Sequence, residues 1–350
     1  MKFEVRLAKL IEKEEILKFI ENHWKKEHIY IKNTRLFDYL HLEDEKLNIV
    51  IAKNLENQEI LAIHAFIPYE KFDNNFRESC IFLSIWKVRE DIKIAGLGLR
   101  TIKFIENNLL KKPLFIQALG YTEEVQPLYR RLGYSVGFLS HHVLINHQVK
   151  EYKILKYTDS KISDLMFNQP EDNLILKKIS SDDLNKIAND ALQTIQKDFL
   201  PEKSKEYILN KYESHPVYRY RYCGCEDDSN NLKLIFIYRQ VYVNGSNVLR
   251  IVDIIGSEKY FKSVSNQLTN LLLELDSEYI DLYHFGLNNV LLEEAGFVNR
   301  KKVENLTVPN HFEPFEDKNI DIQYAFLSSQ NEKKIRFFKG DGDQDRPSLA

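Results

Sequence analysis

Gly96 and Gly98 stand between an apolar strand, Cys80 to Val88, and a helix, Gly96 to Leu109, and this junction constrains the fold more than any other feature of the chain. Within the helix Leu99, Ile102, Ile105 and Leu109 recur at spacings of three and four, so one face is buried. Glycines at such a junction let backbone N–H groups approach an anion, and the helix N-terminus adds partial positive charge at the same point. A phosphate-bearing ligand at the turn is one reading. A helix that merely packs closely on a sheet is the other. The run lacks the Gly-Lys-Ser/Thr ending of a P-loop. It also lacks Gly-x-Gly-x-x-Gly with an acidic residue after the next strand, so a dinucleotide fold is not indicated.

Beyond the helix come a strand, Phe115-Ile-Gln-Ala-Leu119, and a second helix from Glu123 that closes on Gly133. Its run Pro127-Leu-Tyr129-Arg-Arg-Leu-Gly133-Tyr134 resembles the leucine-tyrosine-x-x-leucine-glycine-aromatic signature of the GNAT acyltransferases. The glycine loop of that family reads Arg/Gln-x-x-Gly-x-Gly/Ala, and Lys93, Gly96 and Gly98 occupy those places in the same order. Lys93 departs from the usual Arg or Gln, Ile94 stands for a common extra glycine, and Thr122 lies near a common Asn.

The chain has 350 residues, too many for one compact α/β unit and ample for two. Hydrophobic residues make up 43%, which supports real cores. A formal net charge of −3 gives no strong field toward nucleic acid or an anionic membrane, and neither is expected as a partner. Of three cysteines, Cys80 falls in a core strand, and Cys223-Gly-Cys225 is too tight for a zinc site and lacks a second ligand pair. No metal is expected. No signal peptide and no long apolar segment is visible, so a cytoplasmic protein, a monomer or weak dimer, is the expectation.

Strand and helix periods alternate through the first half, ending on a strand from Val136 to Asn146. The polar stretch that follows reads as a linker. A similar order then recurs: a helix from Asp182 to Gln196 capped by Ser180 or Ser181, a helix from Glu202 to Tyr212, strands at Lys233–Val243 and Val248–Ile255, a helix Tyr260–Leu275 and a strand Tyr279–Tyr283. The run Val290-Leu-Leu-Glu-Glu-Ala-Gly296-Phe297 echoes the one ending Gly133-Tyr134. The expectation is an α/β (α+β) chain of two tandem GNAT-like domains, each a mixed, mostly antiparallel sheet flanked by helices. The divisions fall at 1–148, a linker at 149–173, a second domain at 174–330 and a tail at 331–350. The second copy has Gly256-Ser-Glu-Lys-Tyr260 in place of the glycine loop, a poor host for pyrophosphate, so it would shape the acceptor site instead. The tail, Phe337-Phe-Lys-Gly-Asp-Gly-Asp343-Gln-Asp-Arg346-Pro347, is either solvated or a turn that folds back to bind sugar hydroxyls.

The resemblance implies acyl transfer from acyl-CoA to an amine. It implies that Lys93, Ala95, Gly96, Leu97, Gly98 and Leu99 hold the pyrophosphate, and that backbone around Trp86 and Val88 serves the thioester carbonyl and the pantetheine amides. It also implies that Tyr129 protonates the leaving thiolate, whereas a ring packed under its helix is the structural alternative. Alternation places Cys80, Phe82, Ser84 and Trp86 on one strand face. Ser84 would bind the amine or relay a proton, or be a core serine. His28 lies where the family shapes its acceptor pocket, and His64 reads as structural. The pattern Trp24…His28-Ile29…Leu36-Phe37-Asp38-Tyr39, with Asn48 and Ile67-Pro68, resembles the anthrose-pathway type of nucleotide-sugar N-acyltransferase from bacterial surface-polysaccharide biosynthesis. That resemblance implies a dTDP-4-amino-4,6-dideoxyhexose as acceptor between the domains. Asp38, Arg239, Arg250, Asp253, His284, Asp343 and Arg346 are its candidate ligands. A peptide or aminoacyl N-acyltransferase and a non-catalytic binding module are the alternatives.

Overall fold

In the computed structural model the described residues are 1–74, 79–109, 113–157, 174–329 and 332–345. Part of the expected linker, and Arg346 with the rest of the tail's end, lie outside them.

Two eight-stranded mixed sheets form the molecule. The first has the spatial order Phe3–Lys9, Lys46–Asn54, Ile60–Pro68, Ser79–Val88, Pro113–Leu119, Gln323–Ser328, Ser135–Phe138. The second repeats that order with Ile175–Ile179, Arg221–Glu226, Leu232–Val243, Ser246–Gly256, Tyr279–Phe285, Ser140–Ile145 and Val298–Asn299. Each sheet holds one parallel pair, Ser79–Val88 with Pro113–Leu119 and Ser246–Gly256 with Tyr279–Phe285. Helices cover the apolar faces, as an α/β layer structure requires.

The halves exchange a strand. Gln323–Ser328, from late in the chain, pairs between Pro113–Leu119 and Ser135–Phe138 in the first sheet. Ser140–Ile145, from the first half, pairs with Tyr279–Phe285 and Val298–Asn299 in the second. The single strand expected over Val136–Asn146 is therefore two strands, broken at buried Leu139, whose N–H donates to Ile322 O. A division at residue 148 separates the sequence but not the sheets, and 174–330 contains a strand of the first sheet. One apolar cluster likewise spans both halves, from Ile16, Phe37 and Phe82 to Leu184, Tyr207, Val252 and Phe337.

Other elements differ in detail from expectation. The helix expected over Asp182–Gln196 is two, Ser181–Lys186 and Asn189–Gln196, the first capped by Ser180 Oγ. The echoed glycines do the same work twice: Gly133 and Gly296 have φ of +86° and +89°, and the next N–H reaches back to Tyr129 O and Leu292 O at 3.0 Å. Among the described residues no helix is long and apolar enough to cross a membrane.

The C-terminal segment is not a solvated tail. Phe337–Phe338 adds a strand to Tyr279–Phe285, and Phe337 to Asp343 are buried. Lys203 Nζ holds Asp341 at 2.6 Å and Asp253 at 2.5 Å, and Tyr69 Oη donates to Asp341 at 3.0 Å. The segment thus passes as a strap between the two sheets.

Candidate functional site

The parallel pair of the first sheet is in register only to Leu83 and Ala118. Beyond that point Ser79–Val88 continues without its neighbour, and a cavity of about 420 Å³ opens between the strands, lined by Ser84, Trp86, Tyr121, Tyr129 and Asp343 among others. A bulge forms here: Phe66 faces Leu83 but His64 faces Trp86, so one extra residue lies at Ser84–Ile85. The expected shared face of Cys80, Phe82, Ser84 and Trp86 therefore breaks. Cys80, Phe82 and Ile85 join one apolar cluster, and Ile81, Leu83 and Trp86 pack on another.

The glycine junction adjoins this slot. Gly96 is left-handed at φ +72°, and helix Leu97–Phe104 starts after it. A Cβ on Gly98 would lie 3.4 Å from the Trp86 ring and from Val88, ordinary van der Waals contact, so the helix start packs directly against the slot wall. Trp86 Nε1 donates to Thr101 Oγ1 at 3.1 Å, and Thr101 Oγ1 donates to Gly98 O at 2.7 Å. His64 stacks on Trp86 with ring centres 4.8 Å apart. Burial holds the His64 pKa down at about 3, so it supports the indole as a neutral ring.

Tyr129 lines the slot and is 2% exposed, with its ring near Trp86 (5.8 Å) and Tyr121 (4.9 Å). Burial pushes its phenol well above the usual range, so it is protonated at neutral pH. Ser84 Oγ donates to Asp343 Oδ2 at 2.8 Å, and Tyr30 Oη approaches the same oxygen at 3.3 Å. The carboxylate at the slot thus comes from the strap. His28 lies in the adjoining cavity instead. Its Nδ1 accepts from Tyr30 N at 3.2 Å and caps helix Ile29–Lys32.

That second cavity, about 340 Å³, lies between the two halves. It shares Trp24, Gly120, Tyr121 and Gln344 with the slot. Gly120 has φ +68°, and a Cβ there would meet the Gln344 amide at 2.4 Å; Gln344 Nε2 in turn donates to Leu119 O at 3.1 Å. The strap is thereby seated at the junction of the cavities.

The expected acceptor residues divide. Arg239 and Arg250 line this cavity, but each is already paired with a carboxylate. Arg239 grips Asp345 with two bonds of 2.8 Å and lies over Tyr218. Arg250 grips Asp281 and donates to the carbonyls of Pro309 and Asn310. The other three lie elsewhere. Asp38 accepts from Lys13 at 2.9 Å on a helix face. Asp253 belongs to the buried Lys203 and Tyr212 cluster. His284 is 1% exposed and meets His142 at 2.9 Å. Asp38 and Asp253 pair with lysines and His284 with a neutral histidine, and none of the three lines either cavity. Trp24, Tyr121, Gln344 and Lys339 are lining residues outside the expected set; only Gly120, following an apolar strand, signalled a close approach in this region.

In the second half the parallel pair likewise ends at Ile251 and Leu282, and Phe337–Phe338 pairs with the free end of Tyr279–Phe285. Glu258, where a loop N–H would meet phosphate, accepts from Arg336 Nη1 and Asn288 N, both at 3.0 Å. A carboxylate already occupies the anion's place. Among the described residues no group of three or more His, Cys, Asp or Glu could hold a metal ion.

No family model and no curated protein sequence matches this chain. Solved structures do. A GCN5-related N-acetyltransferase from Anabaena variabilis superposes with a TM-score of 0.57 at 12% identity, covering 94% of this chain and 73% of that one. A probable N-acyltransferase from Enterococcus faecalis gives 0.55 at 11%, covering 92% and 72%. A GCN5-related N-acetyltransferase from Kribbella flavida gives 0.51 at 10%, covering 93% and 70%. At such identities the likeness is one of fold: the chain has the mixed α/β architecture of two tandem GNAT-like domains.

Proposed function

We propose that the chain is an acyl-CoA-dependent N-acyltransferase, with the acyl donor in the slot beside Trp86 and the amine arriving through the cavity between the halves. The observation that carries this reading is the shared wall, Trp24, Gly120, Tyr121 and Gln344, which joins a slot beside a glycine-started helix to a second cavity. Coenzyme A fits the slot by chemistry. The N-terminal amides of Leu97–Phe104 suit its pyrophosphate, with Lys93 and Ala95 to Leu99 around them. The unpaired strand edge at Trp86–Val88 suits its amides and the thioester carbonyl.

When bound, acyl-CoA supplies an activated carbonyl and a thiolate leaving group. Asp343, reached from Ser84, takes the proton that the amine loses on attack. Ser84 and Tyr30 hold that carboxylate in place. Tyr129, kept protonated by burial, donates its proton to the departing sulfur.

For the acceptor, we favour a nucleotide-linked amino-deoxy sugar such as a dTDP-4-amino-4,6-dideoxyhexose. Trp24 and Phe312 offer apolar rings to a base, and Asn310, Glu313 and Asp345 offer oxygens to hydroxyls. One observation favours a second reading, an amino acid or peptide amine. Arg239 and Arg250 are both committed to carboxylates, so neither guanidinium is open to a diphosphate. The substrate is in either case a small molecule, and the reaction belongs with a cytoplasmic acyl-CoA supply.

Thiol release from acetyl-CoA or 3-hydroxybutyryl-CoA tests the reading, with dTDP- and UDP-amino sugars in one series and amino acids and short peptides in the other. Release with a 4-amino sugar supports the first acceptor, and release only with amino acids or peptides supports the second. No release with any amine, despite acyl-CoA binding, leaves a binding module.

A further inference from the structure

Lys339 is the buried lysine of the interdomain cavity, and among the described residues it has no counter-ion. It is 5% exposed, lines the cavity, and its Nζ donates to Asn310 Oδ1 at 2.7 Å. That acceptor is neutral, and among the described residues Lys339 makes no ion pair. Tyr283 presents its ring 5.9 Å away. The carboxylates acting on Lys339, Asp345 and Asp281, are each held by an arginine, and Asp281 also meets His141 at 3.2 Å. Arg239 and Arg250 are each matched by the carboxylate they hold, and the other lining carboxylates, Glu313 and Asp321, face Tyr218 and the pair Arg300 and Lys301, so Lys339 is left with a neutral partner. An uncompensated buried ammonium is costly, and a cavity beside it lets a ligand remove that cost.

Gln323 supplies a second observation. Gln323 is 6% exposed and lines the same cavity, and its side-chain oxygen has no hydrogen-bond partner among the described residues. A buried acceptor left open calls for a donor from outside the protein.

We propose that Lys339 anchors an anion subsite in the interdomain cavity, and that the amine substrate carries a carboxylate or phosphate group seated there, with a hydroxyl or N–H turned to Gln323. This rests on the acyl-acceptor reading of the cavity and adds to it the charge of the acceptor. Burial, with Arg250 and Arg239 nearby, holds the Lys339 pKa well below its ordinary value despite Asp345 and Asp281. An anion at Nζ reverses that penalty. An anion seated at Nζ favours the charged form of Lys339, and one ammonium then matches one negative group, from a nucleotide phosphate or from an amino-acid carboxylate.

The test is binding without acyl-CoA, so it does not depend on turnover. Calorimetry and melting temperature are recorded with dTDP and, separately, with N-acetylglycine, for the wild type, Lys339→Met and Lys339→Arg. One of the two probes binds the wild type and raises its melting temperature, and which one does so identifies the anion's source. Lys339→Met weakens that binding by about tenfold or more, as expected for loss of a charge-assisted hydrogen bond, and Lys339→Arg keeps most of it. Without a probe, Lys339→Met melts no lower than the wild type, because it removes an unpaired buried charge. Failure of both probes to bind overturns the subsite. So does Lys339→Met that melts lower yet binds the probe unchanged, which makes the lysine structural. A chain that binds its probe through Lys339 but releases no thiol keeps the subsite and loses the acyltransferase. A chain that acylates amines equally well with and without Lys339 loses the subsite and keeps the activity.

Discussion

In the proposed reaction Tyr129 and Asp343 would divide the proton transfers between them, and each owes its state to surroundings that a residue type alone does not specify. Tyr129 is a phenol sealed among Trp86, Tyr121 and Tyr134, so it can donate and does not ionise at neutral pH. Tyr129→Phe keeps the ring packing and removes only the proton. Turnover should fall by about 10²-fold or more while acyl-CoA affinity stays within a few-fold of wild type. Steady-state kinetics and direct binding check this, and unchanged turnover removes Tyr129 from the acid role. Tyr129 was legible because a local run of eight residues carries it. The place of Asp343 beside the slot was not legible, because its partner Ser84 lies 259 residues away. The same holds for Arg239 and Arg250. Their polar character in a strand suggested ligands, but Asp345 and Asp281 neutralise both, and only the tertiary fold brings those charges together.

At the scale of elements, the strap 337–345 is the part that brings Asp343 to the slot. It is fastened at Asp341 by Lys203 and Tyr69, and Lys211 Nζ donates to its carbonyl at 2.9 Å. The next residue, Gly342, lies so close to Phe82 that a Cβ would fall 2.1 Å from ring atoms. Gly342→Ala must therefore push the strap off the first sheet, at a cost of about 1–3 kcal/mol typical of overpacking. The expected result is a lower denaturation midpoint and a loss of turnover larger than any change in acyl-CoA affinity, since Asp343 moves with the strap. Wild-type turnover in that variant would show that the strap does not position the carboxylate. The individual strands and helices were largely visible as period-two and period-3.6 patterns, and the glycine caps at Gly133 and Gly296 were visible as an echoed motif. Their partners were not. A strand's alternation says which side chains are buried, but not which sheet buries them, so the exchange of Gln323–Ser328 for Ser140–Ile145 left no local trace. The bulge at Ser84–Ile85 was hidden for a related reason: apolar residues on both faces of Ser79–Val88 mask a one-residue shift.

The whole molecule buries an unusual set of neutral histidines. Burial is the leading cause of depressed pKa values at His64 (about 3), His142 (about 3), His141 (about 4) and His215 (about 4), and it holds His284 well below its ordinary value. The folded state thus binds fewer protons than the unfolded chain below about pH 6.5. Their contribution to stability is complete above that pH and is lost as pH falls toward 4, by about 1–2 kcal/mol for each histidine at pH 5. Glu70, raised to about 7 by burial, and Asp253, also raised by burial, act in the opposite direction but are fewer than the histidines. Urea midpoints should drop steeply between pH 7 and pH 5, and midpoints that stay level over that interval would contradict neutral burial. Two of these rings, His142 and His284, join the exchanged strand Ser140–Ile145 to its new sheet, so acid should loosen the seam between the halves.

Calorimetric titration of the wild type and Gly98→Asp with acetyl-CoA tests the central claim most directly. The Gly98 site accepts a Cβ at 3.4 Å from its neighbours, so the variant should fold, but it sets a carboxylate where the pyrophosphate would lie. The account predicts wild-type binding in a range of about 1 μM to 1 mM and, in Gly98→Asp, a loss of about 100-fold or more at an unchanged melting temperature. No binding by the wild type, or equal binding by both proteins, would contradict it.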